Sequence, residues 1–66
     1  MRVTVNGAPL EVPDEVTVLG LIDHLGLREG PVAVEVNRAV VPRALHGQHR
    51  VRSGDEIEIV HFVGGG

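Results

Sequence analysis

The sequence has 66 residues and no cysteine, and its nine acidic and six basic residues give a formal charge of −3. A chain of this size forms one domain, and its lack of cysteine excludes disulfides and cysteine-based zinc sites. Its negative charge disfavours nucleic-acid binding, which needs clustered positive charge. It has a single aromatic residue, and no apolar run approaches the roughly 20 residues that a membrane helix needs. Because no apolar stretch follows Met1 as in a signal peptide, we expect a cytoplasmic protein. We also expect that it does not bind membranes and that it is monomeric when free.

The first twelve residues, MRVTVNGAPLEV, predict a β-hairpin. Val3 and Val5 alternate with polar residues, which is the pattern of a half-buried strand. Asn6 and Gly7 tolerate the positive φ angles of a tight two-residue turn. We expect the return strand to end before Pro13, which lacks the N–H that strand pairing requires.

The segment DEVTVLGLIDHLG predicts a helix. Thr17 is the expected N-cap, and Asp14 and Glu15 come just before it, where the helix dipole favours negative charge. Gly26 is expected to end the helix in a left-handed conformation. Gly20 costs the helix about 1 kcal/mol relative to alanine, so we expect close packing or a partner contact there. The apolar stripe of the helix consists of Val18, Leu21, Ile22 and Leu25.

The rest of the chain predicts three further strands. PVAVEVN places three valines on one face, AVVP gives a short strand after a turn at residues 37–38, and EIEIVHFV, residues 56–63, is the last strand. The intervening RALHGQHRVRSGD predicts a loop with one helical turn near residues 43–46.

This order of elements predicts an α+β fold, a small mixed sheet of four to five strands with one helix packed on one face. The first and last strands carry the clearest patterns, so we place them side by side and parallel at the centre of the sheet. The arrangement is the β-grasp fold of ubiquitin. Residues 1–63 are predicted to form this domain, and residues 64–66 a flexible glycine tail.

The side chains offer little for catalysis within the chain itself. No cysteine and no acidic pattern accompanies the histidines in the way of a metal site, so we expect these four side chains to be solvated or hydrogen-bonded: His24, His46, His49 and His61. None of the hydroxyl residues lies in a nucleophile motif, and Glu56 and Glu58 have the spacing of a solvated strand face. Because a two-layer domain of 7.0 kDa encloses little volume for a pocket, we do not expect an enzyme.

The end of the chain is the strongest functional candidate. If the isoleucines of the last strand face the core, then Val60 and Phe62 face outward beside Glu58 and form a small apolar patch of the kind that binds partners. The alternative for Phe62 is that it folds back over the edge of the core. The glycines at 64–66 are either a frayed terminus or an arm that threads a narrow channel because it has no Cβ atoms. Such an arm would bring the ionised α-carboxylate to an activating enzyme.

Over essentially its whole length the chain resembles the sulfur carriers of thiamine biosynthesis, the ThiS family. The resemblance rests on VTVNGAPLEV, TVLGLIDHLGL, VAVEVNRAVVPR and GDEIEIVHFVGGG. It implies that an E1-like adenylyltransferase uses ATP to convert the Gly66 carboxylate to an acyl-adenylate, and that a persulfide sulfur donor then gives a thiocarboxylate. Thiazole synthase would receive that sulfur. The chain itself would bind no cofactor or metal and would be a protein cosubstrate.

The matching positions imply a role for each residue near the end of the chain. Gly66 is the modified residue, Gly64 and Gly65 are the part of the tail that threads into a partner, and Val60 and Phe62 are docking residues. Three alternatives stay open: a carrier for molybdopterin synthesis, a carrier for tRNA thiolation, and a non-covalent β-grasp adaptor with an idle tail. Removal of Gly66 distinguishes a carrier from an adaptor, because only the carrier would lose all function.

Overall fold

A computed structural model describes residues 1–28 and 30–62, and these form a five-stranded sheet with one α-helix. The strands are β1 (Arg2–Val5), β2 (Ala8–Glu11), β3 (Val32–Val36), β4 (Ala39–Val40) and β5 (Glu56–His61), and the helix is α1 (Val18–His24). A turn of 3-10 helix, Arg43–Leu45, follows β4. The strand order β2-β1-β5-β3-β4 confirms the predicted mixed sheet. The predicted glycine tail and the domain boundary before it lie outside the described residues.

The two tight turns of the sheet have left-handed backbone at two successive residues. Asn6 and Gly7 have φ angles of 50° and 85°, and Asn37 and Arg38 have φ angles of 51° and 70°. Positive φ at both central positions gives a turn whose twist matches that of the flanking strands. The predicted hairpin at Asn6-Gly7 is therefore confirmed. The second turn holds an arginine in a region that a Cβ atom normally disfavours.

As predicted, β1 and β5 run parallel next to each other in the interior of the sheet. Thr4 pairs with Glu56 in this parallel ladder, while β5 pairs antiparallel with all five residues of β3 on its other side. The sequence pattern predicts a strand that continues past His61, whereas β5 ends there. The Phe62 N–H donates to the Pro31 carbonyl at 3.0 Å. Because Pro31 has no N–H to donate in return, this pair forms one hydrogen bond instead of two.

Helix α1 begins and ends where the sequence predicts. The Thr17 hydroxyl accepts a hydrogen bond from the Gly20 N–H at 3.1 Å, and Gly26 follows the C-cap with a φ of 74°. A Cβ atom on Gly20 would lie 2.9 Å from Cγ2 of Val16, so the expected close packing at this glycine is confirmed. No helix within residues 1–28 and 30–62 is long and apolar enough to cross a membrane. The buried residues of α1 are Val18, Leu21 and Ile22.

The acidic residues that precede α1 also pair with cations from other parts of the chain. The first turn of α1 contains no acidic residue. The Asp14 carboxylate lies 3.3 Å from the N-terminal amine, and the Glu15 carboxylate lies 3.3 Å from the Arg50 guanidinium. Their charges are therefore matched by cations from other parts of the chain, and Glu15 itself has a φ of 63°.

The core lies between α1 and one face of the sheet. Its valines, leucine and isoleucines are each at most 6 % exposed. They are Val3, Val12, Val18, Leu21, Ile22, Val34, Val36, Val41, Val51, Ile57 and Ile59. Val12, Val41 and Val51 come from segments between the regular elements, so these loops close the edges of the core. The opposite face of the sheet has no covering layer within the described part of the chain.

Candidate functional site

The last strand presents one face to the core and the other to solvent, as its period-two pattern predicts. Ile57 and Ile59 are 1 % and 6 % exposed, whereas Val60 is 53 % exposed. Glu58, between the two isoleucines, is also exposed. Alternate residues of β5 therefore lie on the uncovered side of the sheet, which we call the outer face.

Apolar side chains gather near the end of β5 on the outer face. Val60 lies opposite Ala33 in the β3–β5 pairing, and both are exposed. Val40 on the edge strand β4 is 71 % exposed, and Phe62, one residue beyond β5, is 55 % exposed. Of the two alternatives that the sequence left open for Phe62, its exposure agrees with the outward one. Val60, Ala33 and Phe62 therefore provide exposed apolar surface near the end of β5, of the kind that partner surfaces cover, while Val40 lies opposite Glu35 on the edge strand.

Two carboxylates face each other beside this patch. Glu35 on β3 is the direct cross-strand neighbour of Glu58 on β5. Neither of them forms an ion pair with another described residue. Like charges placed opposite each other disfavour strand pairing. The outer face therefore combines an apolar patch with uncompensated negative charge, which suits a partner surface that has apolar and basic groups.

The side chain of Asn6 holds β5 just before the apolar patch. Its Oδ1 accepts from the Ile59 N–H at 2.8 Å, and its Nδ2 donates to the Ile59 carbonyl at 3.0 Å. β1 ends at Val5, so this amide continues the parallel ladder by one more pair of hydrogen bonds. Sequence reasoning assigned Asn6 to the turn alone, because its partner lies 53 residues away and no local signal indicates the contact.

At the end of β5 the chain passes close to Gly30, a glycine with left-handed backbone that precedes β3. Gly30 has a φ of 88°, and a Cβ atom there would lie 3.4 Å from both the Phe62 carbonyl oxygen and Nε2 of His61. Together with the hydrogen bond from Phe62 to Pro31, this packing holds the backbone at Phe62 beside the segment that precedes β3. Val60 and Phe62 are thus brought together at one end of the outer face. The predicted tail residues Gly64, Gly65 and Gly66 lie outside the described residues.

The histidines do not form a metal site in the part of the chain that the structure describes, where no three metal-ligating side chains cluster. His46 is 5 % exposed, and its Nε2 lies 3.1 Å from the Val41 carbonyl oxygen. A carbonyl oxygen only accepts, so Nε2 carries the hydrogen. His46 is therefore hydrogen-bonded, in line with the sequence prediction, although its burial was not foreseen.

Comparison with known proteins identifies the family. The model of the ThiS family matches residues 3–66. This chain belongs to the ThiS family. The Escherichia coli sulfur carrier protein ThiS is 30 % identical over 66 residues, which are 100 % of both chains. The fold matches a crystal structure of a thiamine biosynthesis protein (ThiS) from Geobacter metallireducens with a TM-score of 0.83 and 35 % identity, over 100 % of both chains. This match shows that the present chain has the β-grasp fold.

Longer relatives also contain a segment similar to this whole chain. A thiazole synthase from Magnetococcus marinus is 42 % identical over 66 residues, and one from Paramagnetospirillum magneticum is 39 % identical over the same length. In each case the match covers 100 % of this chain and 20 % of the relative. The chain therefore spans about a fifth of the length of these two relatives.

Proposed function

We propose that this chain is a sulfur carrier of thiamine biosynthesis and that the carboxylate of Gly66 is the group that carries the sulfur. The observation that carries the proposal is the match to a named sulfur carrier protein over the full length of both chains, in a sequence that ends in three glycines. The α-carboxylate of a terminal glycine is ionised at neutral pH. It is a poor electrophile until another enzyme activates it.

The proposed chemistry takes place on the main chain of Gly66. In an E1-like adenylyltransferase, a carboxylate oxygen attacks the α-phosphorus of ATP, and pyrophosphate leaves. The terminal sulfur of a persulfide donor then attacks the carbonyl carbon, and AMP leaves. A second thiol cleaves the remaining S–S bond by exchange, which leaves the thiocarboxylate on Gly66. The carrier supplies no catalytic side chain and binds no cofactor, because ATP belongs to the activating enzyme.

The residues before Gly66 are proposed to act as a spacer. Gly64 and Gly65 lack Cβ atoms, so they fit a narrow channel and adopt backbone angles that other residues avoid. The anchored exit of the chain at Phe62 gives this spacer a fixed starting point. A partner that binds the outer face would therefore meet the tail from a defined direction.

The outer face is the proposed docking surface for the activating enzyme and for the sulfur acceptor. Val60 and Phe62 are the apolar docking residues, since both are about half exposed at the end of the sheet that leads to the tail. Glu35 and Glu58 lie beside them without a cation among the described residues. A basic group of a partner would relieve their mutual repulsion, so charge complementarity would favour the correct partner and the correct orientation.

Thiazole synthase is the proposed sulfur acceptor. The two relatives with that name contain a segment similar to this entire chain, so the two kinds of domain occur together in one polypeptide. This association favours the thiamine pathway over molybdopterin synthesis and over tRNA thiolation.

Intact-mass spectrometry tests the proposal. The chain is incubated with an E1-like adenylyltransferase, ATP and a persulfide donor, and the expected product is heavier by the replacement of one oxygen by one sulfur. Fragmentation should place the change on Gly66, and the loaded chain should support thiazole formation by thiazole synthase. A control chain without the three terminal glycines should gain no sulfur. If the full chain stays unmodified but still binds its partners as well as the shortened chain does, the adaptor alternative is correct.

A further inference from the structure

A cleft of about 380 Å³ lies between α1, the 3-10 turn and the start of β3. This volume falls within the roughly 300–1,000 Å³ of small-molecule sites. Leu19, Ile22 and Val32 supply apolar lining, and Arg28, Arg43 and His46 supply polar lining. None of these residues lies on the outer face, so the cleft is separate from the proposed docking surface.

Two arginines line the cleft in a chain whose formal charge is −3. Arg28 lies beside an acid, with its Nε 3.6 Å from Oδ1 of Asp23. The side chain of Arg43 makes no ion pair or hydrogen bond with any residue that the structure describes. Arg43 is therefore the cation that is available to an anionic ligand, and Arg28 can share such a ligand by leaving the long contact with Asp23.

The buried ring of His46 adds a second polar group to the wall of the cleft. Its Nε2 donates to the Val41 carbonyl, so Nδ1 is the nitrogen left without a partner within residues 1–28 and 30–62. No buried side-chain nitrogen or oxygen of the described residues lacks a partner, so Nδ1 keeps some contact with solvent although the residue is 5 % exposed. His46 is one of the residues that line the cleft.

We propose that the cleft binds a carboxylate, with Arg28 and Arg43 on its oxygens and the apolar lining against any hydrocarbon chain that the ligand carries. A planar guanidinium matches the two oxygens of a carboxylate and can form paired charge-assisted hydrogen bonds with them. Among free acids, the apolar lining favours one that has a hydrocarbon chain.

The carboxylate has two possible sources. One is a free aliphatic acid. The other is the α-carboxylate of the chain itself, because Gly30, which lines the cleft, also packs against the Phe62 carbonyl. The four residues that follow Phe62 span at most about 13–14 Å when extended, so the chain end can reach the neighbourhood of the cleft.

Titration of ¹⁵N-labelled protein with acetate and with butyrate tests the site. The arginine Nε–Hε signals are followed at constant ionic strength, with chloride as the reference anion. Butyrate is expected to bind about tenfold more tightly than acetate, because its two additional methylene groups contact the apolar lining. Arg43→Gln is expected to weaken butyrate binding about tenfold. The matched control is Arg38→Gln at the far end of β3, which should leave the affinity unchanged.

A C-terminal amide distinguishes the two sources without changing the length of the chain. If the chain's own carboxylate occupies the cleft, the amide form shifts the Arg43 signal before any ligand is added and binds butyrate more tightly than the acid form. If the source is a free acid, the two forms titrate alike. The proposal is overturned if acetate and butyrate bind with equal affinity or if Arg43→Gln binds butyrate as tightly as the parent chain does. It is also overturned if neither butyrate nor amidation moves the Arg43 signal. Sulfur loading of Gly66 is measured separately, so the two proposals can fail independently.

Discussion

Replacement of Asn6 by glycine tests how β5 is held next to the outer face. The substitution removes both hydrogen bonds from the Asn6 amide to Ile59. It keeps the backbone free to adopt the φ of 50° at this turn position, because glycine populates positive φ without a steric cost. The change therefore isolates the amide contacts from the geometry of the turn.

The expected loss follows from the burial of Ile59, which is 6 % exposed. Its N–H and carbonyl groups would lose partners at a site that water reaches poorly, and each lost hydrogen bond costs roughly 0.5–1.5 kcal/mol net. Their sum is about 2 kcal/mol. A core of this size supplies only about 3–5 kcal/mol, so the variant would keep about half of its stability. Its Tm should fall by about 8–16 °C.

Urea unfolding and thermal unfolding of the variant measure this loss, and Asn37→Gly is the matched control. Asn37 also holds β5 through two side-chain hydrogen bonds, to the Glu56 N–H and the Asp55 carboxylate, but both are exposed. Water can replace them, so the control should lose less than about 1 kcal/mol. If Asn37→Gly costs as much as Asn6→Gly, or if Asn6→Gly costs less than about 0.5 kcal/mol, burial at Ile59 does not set the strength of the contact.

Three further substitutions test the docking surface, the tail and the helix. Val60→Glu is expected to weaken binding to the activating enzyme, measured by calorimetry, at least about tenfold. Leu45→Glu is the control, because Leu45 is 45 % exposed and Val60 is 53 % exposed, and it should leave the affinity unchanged. Equal effects of the two substitutions would place the interface elsewhere. Gly65→Ala should abolish ATP–pyrophosphate exchange and leave the unfolding midpoint unchanged, and normal exchange would refute the narrow channel. Gly20→Ala should destabilise the fold by about 1 kcal/mol, because its Cβ would lie 2.9 Å from Cγ2 of Val16. With Val16→Ala in place, the same change should stabilise the fold by about 1 kcal/mol; a gain in the parent chain would show that Val16 moves aside freely.

The regular elements could be predicted because each depends on neighbours in sequence. The cap at Thr17, the turn at Asn6-Gly7 and the alternation along β5 are local patterns that the structure keeps. The parallel placement of β1 and β5 followed from the strength of the same patterns. Contacts between distant segments were not accessible in this way. The pairing of Phe62 with Pro31 joins distant segments, and the burial of His46 depends on how an irregular loop packs beside the start of α1.

The candidate site shows the same division. The outward direction of Val60 follows from a period of two along one strand, so sequence alone predicts it. The opposition of Glu35 and Glu58 requires the register of β3 against β5, which no single-strand pattern contains. Likewise, the contact between Asn6 and Ile59 joins residues that are 53 positions apart.

The position of β5 has a consequence for how the protein is made. It is the last strand to be synthesised, yet β1 and β3 are both joined to it and not to each other. A nascent chain that has emerged only as far as residue 55 can form its local hairpins, but its two halves of the sheet have nothing to unite them. Because non-local pairing of this kind forms slowly, the apolar faces of both halves stay open to chaperones and proteases until Glu56–His61 leave the ribosome. Chains interrupted before this strand are therefore expected to be degraded before they can compete with the finished carrier for its partners.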